Sequence, residues 1–349
     1  MLKRTLLLAM AGLALVSFLA CGGDDDDEGG ELSGSDFSGP PRDPAKNVPA
    51  DQIGKVNVIP AGSDWYVGEN NFVFGLTNIK DEPQGGATAV ATFYDLRDPS
   101  NPKPAFTVEA VQSAPGVGKQ VQHTHSGGEI HLHGGQDEDR VGYYARVKFT
   151  YAGQWGIAVE AELKDGTKGV DSIGFTVYAK PNMAAPGEDA PKSDNLTKND
   201  VKDISEIDSG SPPNDMHDVK IKDSIAAGRP LVVVFSTPAF CTSRFCGPVN
   251  EEIEALKEQY DSSVDFVHIE IWRDFDKKVM NPTVKEWLIW PDGSLREPIV
   301  YVVDKKGVIY DRWEGPGAAN IMETSGKAVA DGATRQPWLT RRTAPVADE

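Results

Sequence analysis

Basic residues are in short supply: 35 Lys and Arg stand against 53 Asp and Glu, a formal net charge of -18 over 349 residues. An excess of that size argues against nucleic acid or an anionic membrane surface as a partner and favours solubility. Long apolar runs are missing too. Beyond the first 20 residues no stretch of about 18 apolar residues occurs, so no membrane-spanning helix is expected in the mature chain. Cysteine is rare, with one at position 21 and a pair at 241 and 246.

What is present at the N-terminus explains the first cysteine. "MLKRTLLLAMAGLALVSFLAC" places Lys3 and Arg4 before a short apolar run and small residues before Cys21, the pattern of a secretory signal. Phe18-Leu19-Ala20-Cys21 resembles the lipobox of bacterial lipoproteins. That resemblance implies a signal peptide over 1–20, lipidation of Cys21, and an extracytoplasmic protein anchored by lipid to the bacterial cell membrane. Residues 21–50, with "GGDDDDEGG" and scattered Pro and Gly, read as a disordered tether.

From 51 to 180, short runs such as "NNFVFGLTN", "ATAVATFYDL" and "YYARVKFTYAG" alternate apolar and polar residues between turn signals. Period-two patterning at that spacing predicts an all-β sandwich. The stretch "YAGQWGIAVEAELKDGTKGVDSIGFTV" resembles the last hairpin of immunoglobulin-like domains on exported bacterial proteins, although no cysteine is available for their inter-sheet disulfide. Residues 181–215 read as a linker. The following segment, 216–332, gives strand, helix, strand, helix, strand, strand, helix: "LVVVFS", "PVNEEIEALKEQY", "VDFVHIEIW", "TVKEWLI", "IVYVVDKKGVIYDRWEG" and "AANIMETSGKAVAD". That order predicts an α/β domain. Residues 333–349 form a C-terminal tail.

Cys241 and Cys246 lie where the first of these strands hands over to its helix. Five residues of helix span about 7.5 Å and turn about 140°, too far for a disulfide between two helical cysteines. Cys241 is therefore expected in a loop, and Gly247-Pro248 places the helix start near Cys246, where a helix end stabilises a thiolate. Export permits the pair to oxidise. An inert staple is the plainer reading, but so small a ring constrains little unfolded-chain entropy.

This element order resembles the thioredoxin-like fold, with Pro298 in "REPIVYVVD" where that family carries a cis-proline. "FSTPAFCTSRFCGPV" is similar to a group of exported bacterial thioredoxin-like proteins in the thioredoxin and peroxiredoxin superfamily. The resemblance implies a multidomain chain, an immunoglobulin-like sandwich followed by an α/β thioredoxin-like domain. It also implies a thiol-disulfide oxidoreductase using Cys241, Cys246 and Pro298, acting on protein or small-molecule thiols and disulfides with no required cofactor. Proximity to the helix end would give Cys246 the lower pKa, whereas analogy would make Cys241 the attacker; both remain open. Two neighbouring chemistries are spaced differently. Peroxiredoxins carry P-x3-T-x2-C, and here Pro238 and Thr242 fit while Cys246 falls one residue late, leaving a thiol peroxidase as an alternative. Sco-type copper-insertion proteins use C-x3-C with a remote histidine, one residue shorter than here.

Four of the six histidines fall in "HTHSGGEIHLHGG": His123, His125, His131 and His133. Two H-x-H strands around a Gly-rich turn suit copper or zinc when the register places them on one face, so a metal-binding or delivery protein is the second function class. His268 in "FVHIEIW", with Glu270 two residues on, reads as an ordinary strand-end histidine, and His217 as structural.

Overall fold

The computed structural model describes residues 54–113, 121–124, 130–133, 141–240, 246–260 and 262–336. Cys21, His125 and Cys241, with the expected signal, tether and most of the tail, lie outside the described residues.

Seven strands make one antiparallel sheet: β1 (Val56–Pro60), β2 (Gly68–Asn78), β3 (Thr88–Asp95), β4 (Lys103–Ser113), β7 (Gly142–Phe149), β8 (Gly153–Glu162) and β9 (Lys168–Val177), in the order β1-β2-β7-β4-β3-β8-β9. Between β4 and β7 a separate hairpin pairs β5 (Val121–Thr124) with β6 (Ile130–His133). Alternation builds the large sheet. In β7, Tyr143, Ala145, Val147 and Phe149 point inward and meet Phe72, Phe93, Trp155 and Phe175. Trp65 stacks on Phe72 at 4.6 Å, and Phe149 meets Trp155 edge-on at 5.0 Å.

The sheet curls until its two outer strands meet. Gly54 N donates to Val170 O at 3.1 Å, and Val58 N donates to the Asp171 carboxylate at 2.7 Å. At the seam, a Cβ on Gly169 would lie 2.7 Å from Val56 Cγ1, so only glycine admits this approach.

A second sheet has the order β11-β10-β14-β15, from β10 (Leu231–Ser236), β11 (Asp265–Glu270), β14 (Ile299–Val303) and β15 (Ile309–Glu314). Only β10 and β11 run parallel; the other neighbours are antiparallel. Every residue of β10 is buried, because both faces are covered. Leu231, Val233 and Phe235 pack with Trp287 and Tyr301, while Val232 and Val234 pack with Val249 and Ile253 of helix α2 (Cys246–Tyr260). The other helices among the described residues are brief: the 3-10 turn Ile204–Glu206, α1 (Ile221–Ala226), α3 (Pro282–Trp287) and the consecutive pieces Ala319–Ile321, Met322–Gly326 and Lys327–Ala330. A two-stranded sheet of β12 (Trp272–Asp274) and β13 (Val279–Met280) completes the set.

The expected fold class is corrected on two counts. The described residues of 51–180 do not form an immunoglobulin-like sandwich of two facing sheets; seven of their strands form one sheet that nearly closes on itself, and β5 and β6 pair apart from it. Nor is the chain an all-β module followed by an α/β thioredoxin-like domain: strand residues far outnumber helical ones among the described residues, and the second sheet is mostly antiparallel. Period and turn signals identify strands one at a time, whereas sheet closure depends on which distant strands pair, and local pattern does not carry that.

Residues 181–215, read above as a linker, are closely packed. Met183 and Ala184 join the second core, Ala184 N donates to Trp287 O, and Gly187 and Glu188 exchange backbone bonds with Ile309. The two sheets also touch directly. Arg312 of β15 donates to the Asp64 carboxylate at 2.8 Å and to Asp64 O at 2.7 Å, both residues being buried. Asn71 of β2 donates to Asp311 at 3.0 Å and to Arg312 O at 2.9 Å. No helix among the described residues is long and apolar enough to cross a membrane.

Candidate functional site

Of the expected cysteine pair only Cys246 is described, after the C-terminal end of β10. Strand β10 ends at Ser236, Thr237 follows fully buried, and a turn closes with Phe240 N donating to Thr237 O at 3.2 Å. Cys246 is the first residue of α2, 0 % exposed and disulfide-bonded. The Glu297–Pro298 peptide just before β14 is cis, and Ile299 pairs with Phe235. Phe240, 41 % exposed, stacks on Phe275 at 4.2 Å and gives this end an aromatic surface.

Behind Cys246 runs a chain of buried polar side chains. Parallel register sets Ser236 opposite Glu270 and Val234 opposite His268, and alternation turns Ser236, His268 and Glu270 toward α2. Asn250, one helical turn after Cys246, accepts from Ser236 Oγ at 2.7 Å, and Ser236 Oγ lies 3.0 Å from His268 Nε2. On the other side of the imidazole, Asn214 Nδ2 lies 2.9 Å from His268 Nδ1. Asn214 Oδ1 accepts from Met216 N at 3.0 Å, which fixes the amide so that its NH2 faces the ring.

Asp208 completes the group. Its Oδ2 is 3.0 Å from His217 Nε2 and 3.5 Å from His268 Nδ1, and its carboxylate accepts from Gly210 N and Asn214 N. Asp208, His217 and His268 are 1, 2 and 1 % exposed. Burial alone would raise Asp208, yet the imidazoles of His268 and His217 hold its carboxyl below the usual range. Burial lowers His217 despite the carboxylate beside it. For His268 burial acts the same way, but the Asp208 charge outweighs it and the pKa lies above the ordinary imidazole value. Oxygen and nitrogen atoms of the three residues converge within 4.8 Å, a set that could hold a metal ion. Nearby, burial and the charge of Glu270 push Glu297 up to about 7.

Sequence reasoning took His217 and His268 one at a time and missed Asp208. Asp208 and His217 are nine residues apart on an irregular segment, so no periodicity links them, and only the return of that segment along β11 (His268 N donates to Met216 O at 2.8 Å) brings them to His268. Among the four hairpin histidines, the β5–β6 register sets His123 opposite His131 and His133 opposite Val121, and the hairpin lies alongside α2.

No family model matches the chain, and no curated protein matches it. Among solved structures it is similar to a superoxide reductase (neelaredoxin) from Ignicoccus hospitalis, 8% identical over 36% of this chain and 82% of the other, with a TM-score of 0.19. It is also similar to AvmM, described as catalysing macrocyclization in alchivemycin A biosynthesis, 13% identical over 37% of this chain and 92% of the other, with a TM-score of 0.20. Likenesses of that size assign no fold and no activity. The fold itself corrects the family expected from sequence: the resemblance to exported thioredoxin-like lipoproteins with an immunoglobulin-like domain rested on a C-x4-C spacing and local element order, whereas the described residues build a nearly closed antiparallel seven-stranded sheet and a mostly antiparallel second sheet.

Proposed function

We propose that the protein is an extracytoplasmic thiol-disulfide oxidoreductase in which Cys241 and Cys246 cycle between dithiol and disulfide. The observation that carries this reading is the disulfide-bonded state of Cys246 at the start of α2, with a buried hydrogen-bonding chain that begins at Asn250, one helical turn further on. Cys246 is sealed, so entry falls to Cys241, which follows the exposed Phe240 in the chain. In the reductive direction the Cys241 thiolate attacks a substrate disulfide, forming a mixed disulfide and expelling one substrate thiolate. The Cys246 thiolate then attacks the Cys241 sulfur, closing the internal disulfide and releasing the second substrate thiol. Two electrons pass to the substrate, and an external dithiol must return them. The signal-like N-terminus and Cys21 support placement outside the cytoplasm on a lipid anchor.

Insulin reduction with dithiothreitol as reductant, together with the pair's reduction potential, tests the reading. Turnover is expected in the wild type and lost in Cys241→Ser, with a potential above about -270 mV. A potential below about -300 mV with no turnover would mark an inert disulfide and overturn the proposal.

A further inference from the structure

The geometry points to a second site: we propose that Asp208, His217 and His268 bind one divalent transition-metal ion, zinc by preference, independently of the cysteine pair. A tetrahedral ion with bonds of about 2.0 to 2.1 Å holds its ligand atoms about 3.3 to 3.4 Å apart. Asp208 Oδ2 already lies 3.0 Å from His217 Nε2 and 3.5 Å from His268 Nδ1, and the third side of the triangle is within 4.8 Å. Closing that third side asks for side-chain shifts of about 1 Å or a little more.

The surroundings are those of a ligand set. A ligating imidazole is normally oriented by a hydrogen bond at its other nitrogen, and His268 has this: Nε2 faces Ser236 Oγ at 3.0 Å, which passes its own hydrogen to Asn250. The carboxylate is steadied by Gly210 N at 2.7 Å and Asn214 N at 2.9 Å.

At Nδ1 of His268 two demands conflict. The Asn214 amide, with its oxygen committed to Met216 N, donates to a lone pair there, while the Asp208 carboxylate calls for a positive centre at the same place. A proton on Nδ1 answers the carboxylate but confronts the amide. A metal ion uses the lone pair and neutralises the carboxylate together, once the Asn214 side chain swings away. Asn214 sits on the partly exposed loop 209–214, which can yield, and water or the turned Asn214 oxygen fills the fourth position. Two imidazoles and a carboxylate at close to four-coordinate spacing favour zinc over the oxygen-seeking alkaline-earth ions.

The test uses full-length oxidised protein, so that the disulfide withholds its sulfurs from metal. After chelator treatment and dialysis, uptake of zinc and of cobalt(II) is measured by elemental analysis and by the visible absorption of four-coordinate cobalt. One equivalent is expected, retained when His123, His125, His131 and His133 are all replaced by Ala and in Cys241→Ser, and lost in His217→Gln and in Asp208→Asn. Asn214→Ala, which deletes the competing amide together with the acceptor of Met216 N, is expected to keep or tighten binding and guards against variants that fail to fold. Absence of uptake by the folded wild type overturns the proposal, as does uptake abolished by the hairpin replacement. Because Cys241→Ser removes thiol turnover and leaves metal uptake intact, failure of the redox reading and failure of this one are separately visible.

Discussion

Glu252 lies inside α2, 7 % exposed, with one carboxylate oxygen accepting from Ala319 N at 3.0 Å and the other buried without a partner. Burial pushes its pKa from 4.5 up to about 8. The folded state therefore holds a proton that the unfolded chain releases above pH 4.5. Between about pH 5 and 8 this residue makes stability fall as pH rises, with a limiting slope of about 1.4 kcal/mol per pH unit for one proton. Glu252→Gln keeps an acceptor for Ala319 and removes the titration. Urea denaturation from pH 5 to 8 should show a flatter profile and a higher midpoint at pH 8 than the wild type; an unchanged slope would mean the carboxyl is ionised in the fold. A charge on the inner face of a helix is legible as an interruption of the apolar stripe. The partner that caps it, Ala319, is 67 positions away and is not.

At the scale of elements, the seam between β1 and β9 rests on Gly169, over which Val56 packs. Gly169→Val is expected to destabilise the protein by about 1 to 3 kcal/mol, since the methyls can be placed only by parting the strands. Denaturant midpoints read it, and faster hydrogen exchange confined first to β1 and β9 would locate the damage at the seam. Much here was readable beforehand: "LVVVFS" as a buried strand, the helix from Cys246 to Tyr260, and the strands around the Lys305-Lys306-Gly307 turn follow from apolar period and turn chemistry. The closure was not, because Gly169 looks like any strand glycine until β1 comes round to meet it. Residues 181–215 misled for a related reason, in that their Pro, Gly and Asp content suits a loop in the open and equally one that is pinned by Trp287 and Ile309. The site divides in the same way. A C-x4-C pair announces itself, whereas Asp208, His217 and His268 form a group only once a non-repetitive segment has run back along β11.

For the whole molecule, Arg312 and Asp64 hold the curled sheet against the mixed one. Arg312 donates to a carboxylate and to two carbonyls, Asp64 O and Ala184 O, and Asp64 in turn accepts from the backbone of Asn182 and Met183. Arg312→Met leaves the Asp64 carboxylate buried without its cation, a loss expected to cost about 3 to 5 kcal/mol. Because the pair ties β15 to the loop between β1 and β2, protection of amides in β8 and β10 should fall together in native-state hydrogen exchange. Loss in β10 alone would mean that the sheets unfold as separate units.

Among the described residues, the two larger sheets leave little backbone on offer. In the larger one the outermost strands face each other across the Gly169 seam; in the smaller one Met216 covers β11, while Glu188 and Asn71 cover β15. An uncovered row of amides and carbonyls is what lets one protein copy another's strand and grow into a fibre. A population of these molecules crowded together should stay dispersed for as long as each remains folded, and self-association would have to begin with an opening of those covering segments.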